Sequence, residues 1–129
     1  MFTIQQIKEA HSKVKSGADF PQYAQDIISL GVMSYETFVF DNHTNYFGKN
    51  NFQVSSEGMN EILAIADKCD SNQFKSDLKA HQQGKTTYPE FRQDCAKSGI
   101  EKWIVIMDKK TCSYYDKAGN EVLVETIPI

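Results

Sequence analysis

Phe20-Pro21-Gln22-Tyr23-Ala24-Gln25-Asp26 is the stretch of sequence that decides the fold, because it returns 68 residues later as Tyr88-Pro89-Glu90-Phe91-Arg92-Gln93-Asp94. The match continues downstream, where Gly31-Val32 corresponds to Gly99-Ile100 and Tyr35 corresponds to Trp103. Repeated supersecondary units that are too small to fold alone generally pack against one another. We therefore predict one domain over residues 1–129, with half-repeats at about 1–55 and 71–129 joined by a helix at about 56–69.

The first half opens with two predicted helices. Thr3 and Gln6 have the spacing of a capping box, which predicts a helix from about Thr3 to Ser16-Gly17. Asp19 and Pro21 then predict the start of a second helix, because proline is favoured in the first turn.

Strands follow these helices, because the hydrophobic period changes from about four to two at Tyr35. Bulky residues on both faces of this segment predict an interior strand. Thr44–Phe47 and Phe52–Val54 complete a three-strand meander. The joining helix is predicted from a helical spacing of apolar residues, namely Met59, Ile62, Leu63 and Ala66.

The second half repeats this order, after one additional helix that carries Phe74 and Leu78. Thr87 and Glu90 form another capping box before the second proline-started helix. Three strands are predicted after it, at Trp103–Met107, Thr111–Tyr115 and Val122–Ile127. The fold class is therefore α+β, with an antiparallel sheet of up to six strands covered by helices.

Composition excludes several classes of function. The chain is 40% hydrophobic and 24% charged, with a net charge of −3, which makes a nucleic-acid partner unlikely. The three cysteines, Cys69, Cys95 and Cys112, have neither the count of a disulfide framework nor the spacing of a zinc motif. With no apolar run of transmembrane length, we expect a cytoplasmic protein that has no cofactor and does not enter a membrane.

Histidines are the first candidates for function, since their charge changes near neutral pH. His11 and His81 each follow an alanine near the end of the helix before the proline-started one. A matched pair at the seam between the halves could bind a ligand or a metal. The alternative is that both cover helix ends, where a cation interacts favourably with the helix dipole. His43, in a predicted turn, is a weaker catalytic candidate.

Gln25-Asp26 and Gln93-Asp94 are the second candidates, because both pairs recur in the repeat. Asp26 and Asp94 would take equivalent places, and two convergent carboxylates can act as acid and base if burial raises one pKa. Gln25 and Gln93 are predicted to point away from the core and are candidates for binding. The alternative is shared ancestry with ordinary surface hydrogen bonds.

Aromatic residues are the third candidates. Tyr35 and Trp103 are the matched members of a group that falls on the predicted strands. Packing within the sheet is the default role of such residues, but a face without helices would carry them as a ligand or partner surface. Cys95 faces inward in the prediction and is interpreted as a small hydrophobic residue.

The run Lys13-Val14-Lys15-Ser16-Gly17-Ala18-Asp19-Phe20-Pro21-Gln22-Tyr23, followed by Leu30-Gly31-Val32 and Tyr46-Phe47-Gly48, resembles the YbcV-like family. These are small, uncharacterised bacterial and prophage-encoded proteins, some of them labelled "phage envelope protein". The resemblance spans nearly the whole chain. It implies an α+β fold and a bacterial cytoplasmic setting, and it supplies no catalytic residue.

Two functions from different classes remain open. The first is a small non-catalytic binding or interaction module, which would allow a homodimer through a sheet edge or an aromatic face. The second is a small enzyme whose acid–base groups lie at the seam between the half-repeats.

Overall fold

The computed structural model describes residues 1–15 and 19–127 of the chain. Four helices and six strands follow one another: α1 (Ile4–His11), α2 (Phe20–Leu30), β1 (Ser34–Phe38), β2 (Thr44–Phe47), β3 (Gln53–Ser55), α3 (Ser71–Gln82), α4 (Tyr88–Lys97), β4 (Ile100–Ile106), β5 (Thr111–Asp116) and β6 (Glu121–Thr126). A short 3₁₀ turn at Lys49–Asn51 separates β2 from β3. Among these helices none combines the length and the apolar composition that a membrane crossing requires.

The strands form one antiparallel sheet in the order β3-β2-β1-β4-β5-β6. Helix α1 packs on α2, and α3 packs on α4. Both helix pairs cover the same face of the sheet. The fold is therefore α+β, as the sequence predicted, and β1 is an interior strand because β2 and β4 flank it.

The sheet pairing repeats at the spacing of the sequence match. Every residue pair between β1 and β2 recurs 68 positions later between β4 and β5. Where β1 meets β4, Glu36 pairs with Ile104, which is 68 positions away and lies in the middle of the paired segment. Between β5 and β6 only one β2–β3 pair recurs, Phe47–Gln53 as Tyr115–Glu121, because the register shifts at Tyr114 and Tyr115. Descent of the two halves from one ancestral unit remains a prediction.

Local capping explains where the helices begin. In both predicted capping boxes the side chains bond as expected: Gln6 N–H donates to Thr3 Oγ1 at 3.2 Å, and Glu90 N–H donates to Thr87 Oγ1 at 3.3 Å. Asp19 differs, because its carboxylate accepts from the Lys15 N–H at 2.9 Å rather than capping α2. Helix α1 ends at His11, and the predicted end at Ser16-Gly17 lies outside the described residues.

The core lies between the helices and the covered face of the sheet. Phe74, Ile27 and Ile100 are the largest side chains that are almost completely buried there. Phe74 from α3 contacts the ring of Tyr114 on β5, with 4.9 Å between the ring centroids. Burying a side chain of this size contributes about 1.5–3 kcal/mol, so this contact fixes the second helix pair on the sheet.

The opposite face of the sheet carries a row of polar contacts across four strands. Ser55 Oγ donates to Asn45 Oδ1 at 2.7 Å, and Asn45 Nδ2 donates to Glu36 Oε1 at 3.0 Å. Lys102 Nζ lies 3.9 Å from Glu36 Oε2 and 5.4 Å from the ring centroid of Phe38. Antiparallel sheets commonly leave one face to solvent in this manner. The predicted strand aromatics are therefore divided, with Tyr35, Tyr46, Trp103 and Tyr114 on the helix-covered face.

The predicted joining helix at 56–69 is wrong, because the structure describes this whole segment and it contains no helix. Its backbone donors bond elsewhere: Met59 N–H donates to Asp41 O at 2.6 Å and Leu63 N–H donates to Phe40 O at 2.8 Å. A Cβ on Gly58 would lie 2.3 Å from the Asp41 carboxylate. The loop therefore needs a residue without a side chain here, because its backbone passes close to Asp41. Contacts outside the segment thus outweigh its weak helical pattern.

Arg92 on α4 holds this segment in place. The side chain is 4% exposed, and its Nε donates to Val39 O at 2.8 Å. Its Nη2 donates to Phe40 O and to Glu61 O, each at 2.8 Å. The carboxylate of Glu61 is 3.5 Å from Nη1 but 64% exposed. The guanidinium therefore joins α4, the end of β1 and the 56–69 segment through three carbonyls.

Candidate functional site

A cleft of about 1210 Å³ lies between the two helix pairs, above the covered face of the sheet. Helices α1 and α2 form one wall, α3 and α4 form the other, and strands from both halves form the floor. The volume is somewhat above the range typical of small-molecule sites, roughly 300–1,000 Å³. The cleft is thus located at the seam that the sequence match predicted.

The floor is built from aromatic residues at matching positions of the ladder. Tyr35 pairs with Tyr46, and 68 positions later Trp103 pairs with Tyr114. The ring centroids are 5.6 Å apart in the first pair and 6.0 Å apart in the second. Alternation of side chains along a strand places all four rings on the helix-covered face.

Two further residue pairs of the floor differ in polarity between the halves. The hydroxyls of Thr37 and Thr44 lie 2.9 Å apart in a hydrogen bond. Their counterparts in the ladder are Val105 and Cys112, which also line the cleft. One end of the floor is therefore polar and the other apolar.

The histidines of α1 and α3 lie in the walls. The ring of His11 meets Tyr23 edge to face with centroids 5.3 Å apart, and His81 stacks on Phe91 at 4.5 Å. His81 Nδ1 also lies 3.2 Å from the Thr86 carbonyl. His11 remains exposed on one side, and the partial burial of its other side lowers its pKa, which favours the neutral ring at physiological pH.

Tyr88 closes one end of the cleft, where its hydroxyl donates to Asn42 Oδ1 at 2.5 Å. The side chain keeps 39% of its surface exposed. The surrounding cleft walls nevertheless desolvate the hydroxyl of Tyr88, and this desolvation raises its pKa. The hydroxyl therefore remains protonated and acts as a donor in this position.

Burial also raises the pKa values of the tyrosines and cysteines at and near the floor of the cleft. Burial raises the pKa values of Tyr23, Tyr35 and Tyr46 above their ordinary value. Burial likewise raises the pKa of the Cys112 thiol to about 12, and that of the Cys95 thiol lies well above its ordinary value. A nucleophilic cysteine needs a thiolate, so neither thiol is activated for catalysis at neutral pH.

Two polar groups on deeply buried side chains of the floor have no bonding partner within residues 1–15 and 19–127. These are the Tyr35 hydroxyl and the Trp103 indole N–H, on side chains that are 7% and 8% exposed. In the described part of the chain, every side-chain nitrogen or oxygen that is fully shielded from solvent has a hydrogen-bond partner. Both groups must therefore reach solvent, and because both residues line the cleft, that solvent is the cleft itself.

Charged residues lie around the mouth of the cleft. Lys8, Lys15 and Lys85 contribute to the lining, and no ion pair is formed by them among the described residues. Two of the three lining carboxylates already accept hydrogen bonds: Glu90 from the Thr87 N–H at 2.9 Å, and Glu125 from the Tyr114 hydroxyl at 3.1 Å. The mouth therefore carries equal numbers of lysines and carboxylates, and the lysine ammonium groups are available to pair with an anionic substituent.

The structure brings together four of the predicted site residues around this cleft, namely His11, His81, Tyr35 and Trp103. The remaining five lie outside its lining: Gln25, Gln93, Asp26, Asp94 and His43.

Three of these outlying residues, Asp26, Asp94 and His43, have surroundings of their own. Asp26 accepts from Gln22 Nε2 at 2.9 Å and borders a separate crevice of about 60 Å³. Partial burial and the nearby Asp77 raise the pKa of Asp94 on the outer part of α4. His43 stacks on Phe38 at 4.5 Å, near the open face of the sheet. The two aspartates are therefore not placed to act on a molecule in the cleft.

A metal centre finds no support within the described ranges, where no three histidine, cysteine or acidic side chains are grouped as ligands. Sequence reasoning also missed Tyr23, Tyr88 and Arg92. The match itself held the signal for the first two, because Phe20 and Tyr23 correspond to Tyr88 and Phe91. Arg92 corresponds to Ala24, so the repeat gave no indication of its role.

A family model described as "Protein of unknown function (DUF1398)" matches residues 8–126. The chain belongs to the DUF1398 family. The match spans both half-repeats and every element that lines the cleft apart from the first turn of α1. A search of the curated proteins found no match. Membership of DUF1398 thus defines the family without assigning an activity.

Proposed function

We propose that this DUF1398 protein is a non-catalytic binding protein that takes a small aromatic compound into the cleft between its helix pairs. The observation that carries the proposal is the pair of unbonded polar groups, the Tyr35 hydroxyl and the Trp103 N–H, at the floor of a cleft in which four aromatic rings face the helices. Ligand sites typically combine an apolar lining with a few such polar groups.

The shape and charge of the cleft support a small organic molecule as its occupant. Aromatic rings meet planar ligands in stacked or edge-to-face contacts, each of which adds about 0.5–1.5 kcal/mol beyond area burial. The lysines at the mouth complement an anionic substituent, as many soluble aromatic compounds carry. The YbcV-like, prophage-encoded origin that the sequence resemblance implies belongs to this proposal as well.

The acid–base enzyme has weaker support, because Asp26 and Asp94 lie outside the cleft. A homodimer through the open sheet face is likewise less favoured, since a row of polar contacts from Ser55 to Lys102 crosses that face.

Two-dimensional ¹H–¹⁵N NMR with anthracene-2-sulfonate tests the proposal. Trp103 is the sole tryptophan of the chain, so its indole N–H gives a single resolved signal from the floor. We expect saturable shifts at this signal and at His11, Tyr35 and His81. Tyr115 and Lys102 on the open face are internal controls and should not shift. Shifts on the open face without shifts in the cleft would contradict the proposal.

A further inference from the structure

The positions of the two unbonded floor groups define what a ligand must present to them. Thr37 pairs with Trp103, and Tyr35 pairs with Val105, so Tyr35 and Trp103 are diagonal neighbours across β1 and β4. Diagonal neighbours lie about 7–8 Å apart at the backbone. This backbone spacing is comparable with the length of a planar ring system, so one bound molecule can contact both residues.

Both groups act as donors. The indole N–H can only donate, and a tyrosine hydroxyl can donate or accept. A ligand that covers them with hydrocarbon would leave both without a partner, which is costly in a desolvated site. A bound molecule should therefore place an acceptor oxygen between them.

The acceptor is best uncharged. The lysines that could neutralise an anion lie at the mouth of the cleft. The floor residues next to Tyr35 and Trp103 are uncharged, namely Thr37, Tyr46, Val105 and Cys112. Burial raises the pKa values of Tyr35 and Tyr46, which shows that this environment disfavours negative charge. A carbonyl oxygen meets these conditions better than a carboxylate.

We infer that the ligand is a planar aromatic compound with a neutral ring carbonyl, whose oxygen accepts from the Tyr35 hydroxyl and the Trp103 indole N–H. This inference rests on the proposed function, because it specifies the chemistry of the molecule in the same cleft.

Two probes of nearly equal shape separate the inference from the proposed function. Anthraquinone-2-sulfonate carries ring carbonyls, and anthracene-2-sulfonate has the same fused rings and sulfonate without them. By calorimetry we expect the quinone to bind the wild-type protein about fivefold to 150-fold more tightly, since it gains two hydrogen bonds of about 0.5–1.5 kcal/mol each. The Trp103 indole N–H signal should move downfield with the quinone only.

The variant Tyr35→Phe removes the hydroxyl and keeps the ring. We expect it to weaken the quinone about threefold to tenfold without weakening anthracene-2-sulfonate, which offers the hydroxyl no acceptor, and binding of that second probe also shows that the variant is folded. Tyr115→Phe makes the same change on the open face and should affect neither probe.

Three results would overturn the inference. Equal affinities of the wild-type protein for the two probes would refute the carbonyl while leaving the cleft as a binding site. Unchanged quinone affinity in Tyr35→Phe would refute the role of the hydroxyl. Failure of both probes to bind would refute the proposed function itself.

Discussion

Replacing Arg92 with methionine should strongly destabilise the protein, because one buried side chain joins three parts of the chain. The substitution keeps roughly the length of the side chain but removes the donors to Val39 O, Phe40 O and Glu61 O, each at 2.8 Å. The 56–69 segment would then lose its attachment to α4.

The size of the effect follows from these contacts. Hydrogen bonds from a charged donor contribute about 1.5–3 kcal/mol each, and part of this is offset because the guanidinium no longer has to be desolvated. We expect the free energy of unfolding to fall by about 3–5 kcal/mol. At about 3–5 °C per kcal/mol for a chain of this size, Tm should fall by roughly 10–25 °C. Glu61→Gln should cost less than about 1 kcal/mol, since that carboxylate is mostly exposed.

Urea denaturation followed by circular dichroism at pH 7 measures these changes. Arg92→Lys should fall between the wild-type protein and Arg92→Met, because an ammonium group cannot reproduce the planar set of donors. Gln93→Met is the matched control, since this neighbour on α4 is exposed. A loss below about 1 kcal/mol for Arg92→Met, with an unchanged m value, would refute the structural role of the guanidinium.

Two further predictions concern backbone geometry and acid. Gly99→Ala should destabilise more than Gly84→Ala: both glycines have positive φ, at +81° and +77°, but only at Gly99 would a Cβ meet other backbone atoms, at 2.7 Å. Equal losses for the two variants in thermal unfolding would show that φ alone matters. Asp41 is predicted to stabilise the fold above acid pH: partial burial acts to raise its pKa, but hydrogen bonds from the His43 backbone and ring outweigh this and lower it. The contribution is thus present above the ordinary pKa of about 4 and disappears as the pH falls through the lower folded value. The stability difference between wild type and Asp41→Asn should shrink as the pH falls below about 4, and a difference that persists undiminished at pH 2 would contradict this assignment.

Local chemistry made much of the fold predictable. Capping boxes at Thr3 and Thr87 placed two helix starts correctly, and the two-residue period placed all six strands to within a few residues. The 56–69 segment was mispredicted because its donors find partners on the β1–β2 turn and on α4. Such contacts cannot be read from a helical spacing of apolar residues.

The site was predictable only in part. Matched positions pointed to His11, His81, Tyr35 and Trp103, and these line the cleft. The same reasoning also selected Asp26 and Asp94, although residues on the outer side of a helix recur in a repeat as readily as those on its inner side. The volume of the cleft depends on how the two helix pairs pack on the sheet. The sequence pattern does not specify that packing.

The unequal ends of the floor have a consequence for any molecule that enters the cleft. Two identical halves would present the same contacts to a ligand and to that ligand turned by 180°. Here a hydroxyl pair at Thr37 and Thr44 faces one end, while Val105 and Cys112 face the other. An asymmetric ligand should therefore bind in one preferred orientation. Exchanging these two residue pairs between the halves should favour the opposite orientation.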